Sequence, residues 1–302
     1  MLSRSARLAA VSVMMIELGA LGGPHSAPVA SGASPIVVVA AENFYGDIVG
    51  QIGGDHVVVT SIISDPTVDP HEYESNARDG VAVADACLVV QNGIGYDEFM
   101  NRLEAASSPN PRRRVIVVAD LTGHRKGDNP HLWYDPPTVP RVAEAVLDAL
   151  VQIDPGDAGS YRNGHRAFRA SLTPLNEAVA SIKARYHGTA VALTEPVFSY
   201  MAAALGLNVV TPLAFQKAIE EGEDPPAAAL AQMEDQLKGH QAKLLLYNTQ
   251  TVSPITLGIQ ALAKRVGVPV VGVSETKPPK KSFQQWMLSQ LDAVRAALAQ
   301  GN

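Results

Sequence analysis

Cysteine is nearly absent from this chain of 302 residues, which contains only Cys87. A single cysteine cannot form an internal disulfide, and zinc motifs built from several cysteines are excluded. Cys87 lies in the apolar run 86–90 (ACLVV), and that setting is typical of a buried strand residue. Any metal or catalytic site of the chain must therefore be built mainly from other polar side chains.

An excess of basic residues is also lacking. The chain has 24 Lys and Arg against 30 Asp and Glu, which gives a formal net charge of −6. No basic surplus exists to neutralise phosphates, so a nucleic-acid partner is not expected. With 46% apolar and 18% charged residues the composition is that of a globular protein, and the length suffices for two domains.

The N-terminal apolar run is too short to cross a bilayer. Arg4 and Arg7 precede residues 8–21, which are apolar except for a few positions such as Glu17, and small residues follow as far as Ala33. This order predicts a signal peptide over residues 1–33. No cysteine lies near the predicted cleavage region, so we expect a soluble, periplasmic protein without a lipid anchor on an N-terminal cysteine.

Strand and helix patterns alternate from residue 36 onward. Short β-branched runs predict eight strands at 36–41, 56–63, 86–91, 114–119, 189–193, 208–211, 242–247 and 268–273. Helical patterns lie at 44–52, 76–84, 96–106, 197–205, 227–239, 255–266 and 282–299. The alternation predicts an α/β fold of two lobes, residues 34–154 and 188–302, each a mostly parallel sheet flanked by helices.

Residues 155–187 carry a helical stripe between the lobes. Apolar residues and one histidine recur every three or four positions from Tyr161 to Tyr186. The pattern predicts one long linking helix, which Pro174 is able to kink or divide. A packed helix resists bending, so we expect limited hinge motion between the lobes.

Two histidines each follow a proline in a predicted loop. His71 lies in residues 69–74 (DPHEYE) and His131 in residues 129–136 (NPHLWYDP). Proline restricts its own backbone and that of its neighbour, so each imidazole begins from a nearly fixed position. A histidine in a surface loop is the plain alternative for either residue alone. Two such segments together favour a transition-metal site.

Two glutamates follow strands of the second lobe. Glu195 comes after 189–193 and Glu275 comes after 268–273. Ligands of open α/β sheets lie beyond the carboxyl ends of strands, so these four residues, two from each lobe, are expected to meet in the cleft. Two imidazoles and two carboxylates form a shell that accepts Mn²⁺, Fe²⁺ or Zn²⁺.

The chain resembles the zinc/manganese-binding solute-binding proteins of bacterial ABC importers, over nearly the whole mature sequence. The resemblance is carried by residues 41–47 (AENFYGD), 69–74, 92–100 (NGIGYDEFM) and 129–133 (NPHLW). It implies a two-lobe fold with a rigid linking helix. It also implies that His71, His131, Glu195 and Glu275 are the metal ligands.

Three details matter here, and two of them, at position 195 and in the loop 121–128, separate this chain from zinc-type members of that family. Zinc-type members usually have histidine where Glu195 stands, and manganese-type members often have glutamate. The fourth ligand is usually aspartate, whereas here it is Glu275. The loop 121–128 (LTGHRKGD) has one histidine, where zinc-type members often have many. Glu195 and the histidine-poor loop favour manganese without excluding zinc, and Glu275 departs from the family as a whole.

The sequence thus predicts a non-enzymatic, monomeric receptor that carries Mn²⁺ or Zn²⁺ to an inner-membrane ABC permease and its ATPase. Metal affinity is expected to fall as the pH drops through the imidazole range near 6.5. The alternatives are a secreted metal-dependent hydrolase, and a metal-storing, structural-metal or adhesion protein. A hydrolase would need an open coordination position, and no His-Glu-x-x-His helix is found in the sequence.

Overall fold

The structure is a computed structural model that describes residues 34–300. The predicted signal peptide, residues 1–33, lies outside the described residues. Within residues 34–300, no helix is both long enough and apolar enough to span a membrane.

The first lobe is built on a four-stranded parallel sheet. Its strands are β1 (Ile36–Glu42), β2 (Val57–Ile63), β3 (Leu88–Gln91) and β4 (Arg114–Val117), in the order β2-β1-β3-β4. Its helices are α1 (Asn43–Gly53), α2 (Ala77–Asp85), α3 (Glu98–Ala106), α4 (Val118–Thr122) and α5 (Thr138–Ile153). Positions 38–41 of β1 are buried on both faces, as in parallel sheets covered by helices on each side.

The second lobe repeats this arrangement. Its strands are β5 (Ala190–Leu193), β6 (Asn208–Val209), β7 (Leu245–Asn248) and β8 (Val270–Val273), in the order β6-β5-β7-β8, with all pairs parallel. Its helices are α8 (Ser199–Ala204), α9 (Leu213–Glu220), α10 (Ala227–Lys238), α11 (Pro254–Arg265) and α12 (Phe283–Gln300). The predicted α/β class with two parallel sheets is confirmed.

Helices α4, α5 and α9 are absent from the sequence-based prediction. The predicted strand 114–119 ends at Val117, and the chain continues directly as α4. Helix α5 buries Val139, Val142, Val146 and Leu150, which are spaced three or four residues apart. That spacing is visible in the sequence, so α5 could have been predicted.

The segment between the lobes forms two consecutive helices, α6 (Ala158–Ser171) and α7 (Thr173–Tyr186). The predicted stripe is helical, but it is divided at Leu172, just before Pro174. Helix α6 packs against α1 and α5 of the first lobe, whereas α7 packs against α12 of the second. Gly164 makes the first contact possible, because a Cβ there would collide with the backbone carbonyl of Ile52.

The two lobes share one hydrophobic core. Its aromatic centre joins Phe44 of α1 and Trp133 of the first lobe to Trp286 of α12. The rings of Phe44 and Trp133 stack with centroids 4.4 Å apart, and Trp286 lies 6.0 Å from Phe44. All three side chains are buried. Separating the lobes would expose this cluster to water, at a cost in free energy.

Candidate metal centre

His71 lies in a short turn after β2. Residues Pro70–Glu72 form one turn of 3₁₀ helix, and the Oδ1 atom of Asp69 accepts a hydrogen bond from the His71 amide at 2.9 Å. The same loop is held to the second lobe, since Gln250 donates to the carbonyl of Val68 at 2.7 Å. The His71 side chain is 23% exposed and faces the cleft.

His131 is fully buried, and its neighbour Asn129 fixes the orientation of the ring. The Nδ2 group of Asn129 donates to the carbonyl of Pro196, so Oδ1 faces His131. That oxygen lies 2.6 Å from Nδ1 of His131 and accepts from the His131 amide at 3.1 Å. Nδ1 therefore carries the proton and Nε2 carries the lone pair. Nε2 is buried without a hydrogen-bond partner, as expected for a nitrogen that awaits a metal ion.

Glu275 lies between the two imidazoles. Its Oε2 atom is 3.4 Å from Nε2 of His71 and 3.4 Å from Nε2 of His131. The hydroxyl of Tyr96 donates to Oε2 at 2.8 Å, and the side-chain amide of Asn248 donates to Oε1 at 2.6 Å. One ligand atom from each of His71, His131 and Glu275 lies within 4.8 Å of the others, so the structure brings three of the four predicted residues together.

Glu195 lies beside this group but is not part of it. Its Oε2 atom accepts hydrogen bonds from Asn248 at 2.9 Å and from Thr251 at 3.3 Å. Its Oε1 atom is buried without a partner. Glu195 therefore reaches Glu275 only through the shared amide of Asn248. A change in the Glu195 side chain is needed before its carboxylate joins the other three residues.

The electrostatics of the group follow from its burial. Burial alone raises the pKa of Glu275, but the imidazoles of His131 and His71 beside its Oε2 atom outweigh it and lower that pKa below the usual range. Burial alone lowers the pKa of His71, but the hydrogen bond and charge of Glu275 raise it to about 9. Because His71 must lose its proton to bind a metal ion, the pH range over which metal affinity rises is expected to lie above 6.5.

The Glu195 carboxyl is also perturbed. Burial raises the pKa of Glu195 to about 8, and the hydrogen bond from Asn248 opposes this only in part. The nearby charge of Glu275 adds to the effect of burial. At neutral pH the group combines a protonated His71, an ionised Glu275 and a largely protonated Glu195.

Sequence reasoning missed several residues of the centre. Asn248 lies at the carboxyl end of β7, a position that the rule for parallel sheets could have indicated. Tyr96 lies in the segment 92–100, whose sequence does not indicate its contact with Glu275. Glu220, at the end of α9, places Oε1 3.7 Å from Nδ1 of His131, and nothing in its sequence context indicates this.

Not all of the carboxylates that flank the histidines in the sequence face the site. Glu72 and Glu74 are exposed. Asp135 accepts a hydrogen bond from the hydroxyl of Thr138 at 2.9 Å and so supports the first turn of α5. The site opens instead into a cavity of about 1050 Å³ between the lobes, which is lined by residues of both, including His71, Tyr96 and Glu220.

Comparison with known proteins assigns the chain to a family. The family model described as zinc-uptake complex component A, periplasmic (ZnuA), matches residues 38–297. The chain belongs to this family. The family is defined by metal uptake, not by catalysis, and a divalent transition metal is its transported ligand.

Individual relatives differ in the metal for which they are named. The manganese-binding lipoprotein MntA of Halalkalibacterium halodurans is 28% identical over 66% of this chain and 67% of its own length. The iron-binding protein YfeA of Yersinia pestis is 29% identical over 59% of each chain. A crystal structure of ZnuA superposes with a TM-score of 0.70, covering 89% of this chain and all of the other at 21% identity, which shows a shared fold.

Proposed function

We propose that this protein captures a divalent transition metal ion with His71, His131, Glu195 and Glu275 and delivers it to an ABC permease. The convergence of two imidazole Nε2 atoms on the buried carboxylate of Glu275 carries the proposal. A buried carboxylate between two imidazoles is costly unless a cation or proton is shared among them. A metal ion would replace the proton now held between His71 and Glu275.

Glu195 is proposed as the fourth ligand. Its unpartnered Oε1 atom is buried next to the group, and a different side-chain conformation would bring the carboxylate to a cation held by the other three residues. The resulting shell of two nitrogens and at least two oxygens suits Mn²⁺ and Zn²⁺. Four protein ligands leave little room for a catalytic water, which disfavours the hydrolase alternative.

The biological partners are part of the same proposal. We expect a monomer that docks on an inner-membrane permease with its ATPase, in the periplasm and without a cysteine-linked lipid. Cys87, the only cysteine of the sequence, lies next to β3, where its amide donates to the carbonyl of Val37. Cell fractionation and an assay of metal uptake in a strain that lacks the protein would test location and delivery.

Calorimetric titration of the metal-free protein tests the binding site. The parent protein is expected to bind one Mn²⁺ or Zn²⁺ ion, and His71→Ala or His131→Ala is expected to lose most of the affinity. The exposed His187 provides a matched control, since it lies before β5 whereas Glu195 follows the opposite end of that strand, so His187→Ala removes an imidazole outside the site. Parent-like affinity in both site variants would overturn the assignment.

Metal identity needs a separate measurement, because affinity alone favours zinc over manganese whatever the biology. Elemental analysis of protein purified from its native compartment gives the metal that is bound there. Competition between Mn²⁺ and Zn²⁺ then shows whether the site or the metal supply decides the outcome.

A further inference from the structure

The Glu220 side chain occupies a position that the four proposed ligands do not explain. It comes from the second lobe, at the carboxyl end of α9, where the helix dipole disfavours an anion. The side chain is only 14% exposed, and its Oε1 atom is buried without a hydrogen-bond partner. Among the described residues, its ion-pair contact is with His131 of the first lobe, at 3.7 Å.

The contact is made on the edge of the ring that faces away from the proposed metal. Nε2 of His131 points to Glu275, whereas Glu220 approaches Nδ1. The hydrogen bond to Asn129 keeps the proton on Nδ1. A metal ion on Nε2 withdraws electrons from the ring and increases the positive charge at Nδ1–H. A carboxylate next to that group stabilises the metal-bound form more than the free form.

We propose that Glu220 is a positioning residue for the metal centre, acting as the carboxylate partner of the His131 imidazole across the cleft. It strengthens metal binding without touching the ion, because its charge favours the ring that carries the metal. The side-chain amide of Asn129 fixes the tautomer of His131, and the negative charge of Glu220 further stabilises the proton on Nδ1. This inference rests on the proposed function, since it assumes that His131 is a ligand.

The arrangement also joins the lobes. His131 belongs to the first lobe and Glu220 to the second, so a stronger attraction in the metal-bound state pulls the end of α9 toward the first lobe. The residues that follow, Glu221 to Asp224, lie on the rim of the cavity. Metal binding is therefore expected to move the residues of this rim toward the first lobe.

The test compares Glu220→Gln with Glu221→Gln. Both variants remove one negative charge at nearly the same place, but Glu221 is exposed. Zinc affinity is measured at one fixed pH by competition with a chromophoric chelator. Loss of a hydrogen-bonded outer partner weakens metal binding about 10–100-fold; since Glu220 acts by its charge at 3.7 Å, about 10-fold, the lower end, is expected for Glu220→Gln. Glu221→Gln is expected to bind zinc as the parent does.

A second measurement separates positioning from a structural role. The ring ¹⁵N signals of His131 are recorded in the zinc-bound parent and in both variants. The Nδ1 signal is expected to shift in Glu220→Gln and to stay in place in Glu221→Gln. The melting temperatures of both metal-free variants are expected to equal that of the metal-free parent. Equal affinity losses in both variants, or parent-like affinity in Glu220→Gln, would overturn the inference. A parent protein that binds no zinc would instead overturn the proposed function.

Discussion

The carboxylates of Glu195 and Glu275 are joined by a single side-chain amide, because Nδ2 of Asn248 donates to both. Asn248 is buried at the end of β7, and its Oδ1 atom accepts a hydrogen bond from the amide of Gln250. The amide thus keeps two buried acids of the centre together while no metal is bound. A metal ion that binds both acids would take over part of this role.

Replacing Asn248 by alanine should therefore destabilise the metal-free protein more than the metal-bound protein. Loss of a buried donor that leaves its acceptors unpaired costs about 1–3 kcal/mol. Urea unfolding with and without Zn²⁺ would measure both values. Asn208→Ala, on the exposed position of β6, is the matched control and should have little effect in either state. An equal loss in both states would argue that Asn248 serves the fold alone.

Metal affinity should rise with pH well beyond the range of an ordinary imidazole. The pKa of His71 is raised to about 9 and that of Glu195 to about 8, and both groups must lose a proton to bind metal. Near pH 7 the protein should release about two protons per metal ion. Calorimetry in buffers of different ionisation enthalpy counts these protons. Glu195→Gln should release about one proton fewer, and a count of zero for the parent would contradict the assignment of His71.

The metal-free protein should lose stability over the same range. His71 has a folded-state pKa above its unfolded value, so its contribution is complete below 6.5 and is lost as the pH rises through 9. The raised pKa of Glu195 acts in the same direction. The folded protein holds the Glu195 proton more tightly than the unfolded chain does, and the stability that this gives is lost as the pH rises through 8. The melting temperature of metal-free protein should fall between pH 6.5 and 9. Saturating Zn²⁺ should reduce this fall, because the bound ion keeps both groups deprotonated in the folded state.

Much of the fold could be predicted from the sequence because its signals are local. The β-branched runs 36–41 and 57–63 both form strands, although β1 is almost wholly buried and β2, at the edge of the sheet, is only partly buried. The proline before each histidine fixes the loops of His71 and His131, and position after a strand indicates Glu195 and Glu275. These signals require only the residues near each position.

The remaining features depend on contacts between distant segments. Nothing near Glu220 in the sequence shows that α9 ends beside His131, because that contact joins two lobes. The upward shift of the His71 pKa likewise depends on Glu275, about two hundred residues away in the chain. The packing of α6 on α1 and of α7 on α12 also joins distant segments, whereas the division between these two helices follows the local signal of Pro174. Local patterns carry no information about such partners.

The close approach of α6 and α1 should depend on Gly164. A methyl group there would meet the carbonyl of Ile52, which is rigid backbone within α1. Gly164→Ala should destabilise the protein by about 1–3 kcal/mol, the usual cost of overpacking. Gly159→Ala, in the same helix but with open space around the new methyl group, should be neutral or stabilising by up to about 1 kcal/mol. Urea unfolding of both variants gives the comparison, and equal effects would show that helix propensity alone is being measured.

Glu42 is a buried acid whose carboxylate receives no hydrogen bond. It ends β1 with both carboxylate oxygens buried and unpaired, whereas Asp97 accepts hydrogen bonds from the amides of Asn92 and Gly93. Burial, with the nearby charge of Asp97 as a second cause, raises the pKa of Glu42 well above its usual value. The folded protein therefore holds a proton that the unfolded chain releases above its own pKa of about 4.3, and stability falls as the pH rises.

Glu42→Gln should remove this part of the pH dependence, because the amide has the shape of the protonated acid and cannot ionise. The metal-free variant should gain stability relative to the metal-free parent as the pH rises. The difference between their free energies of unfolding, variant minus parent, should therefore be larger at pH 8 than at pH 5. Urea unfolding at the two pH values measures the difference. Glu98→Gln, on the exposed start of α3, controls for the loss of a negative charge nearby and should show no such trend. A Glu42→Gln effect that is the same at both pH values would mean that Glu42 is ionised in the folded protein.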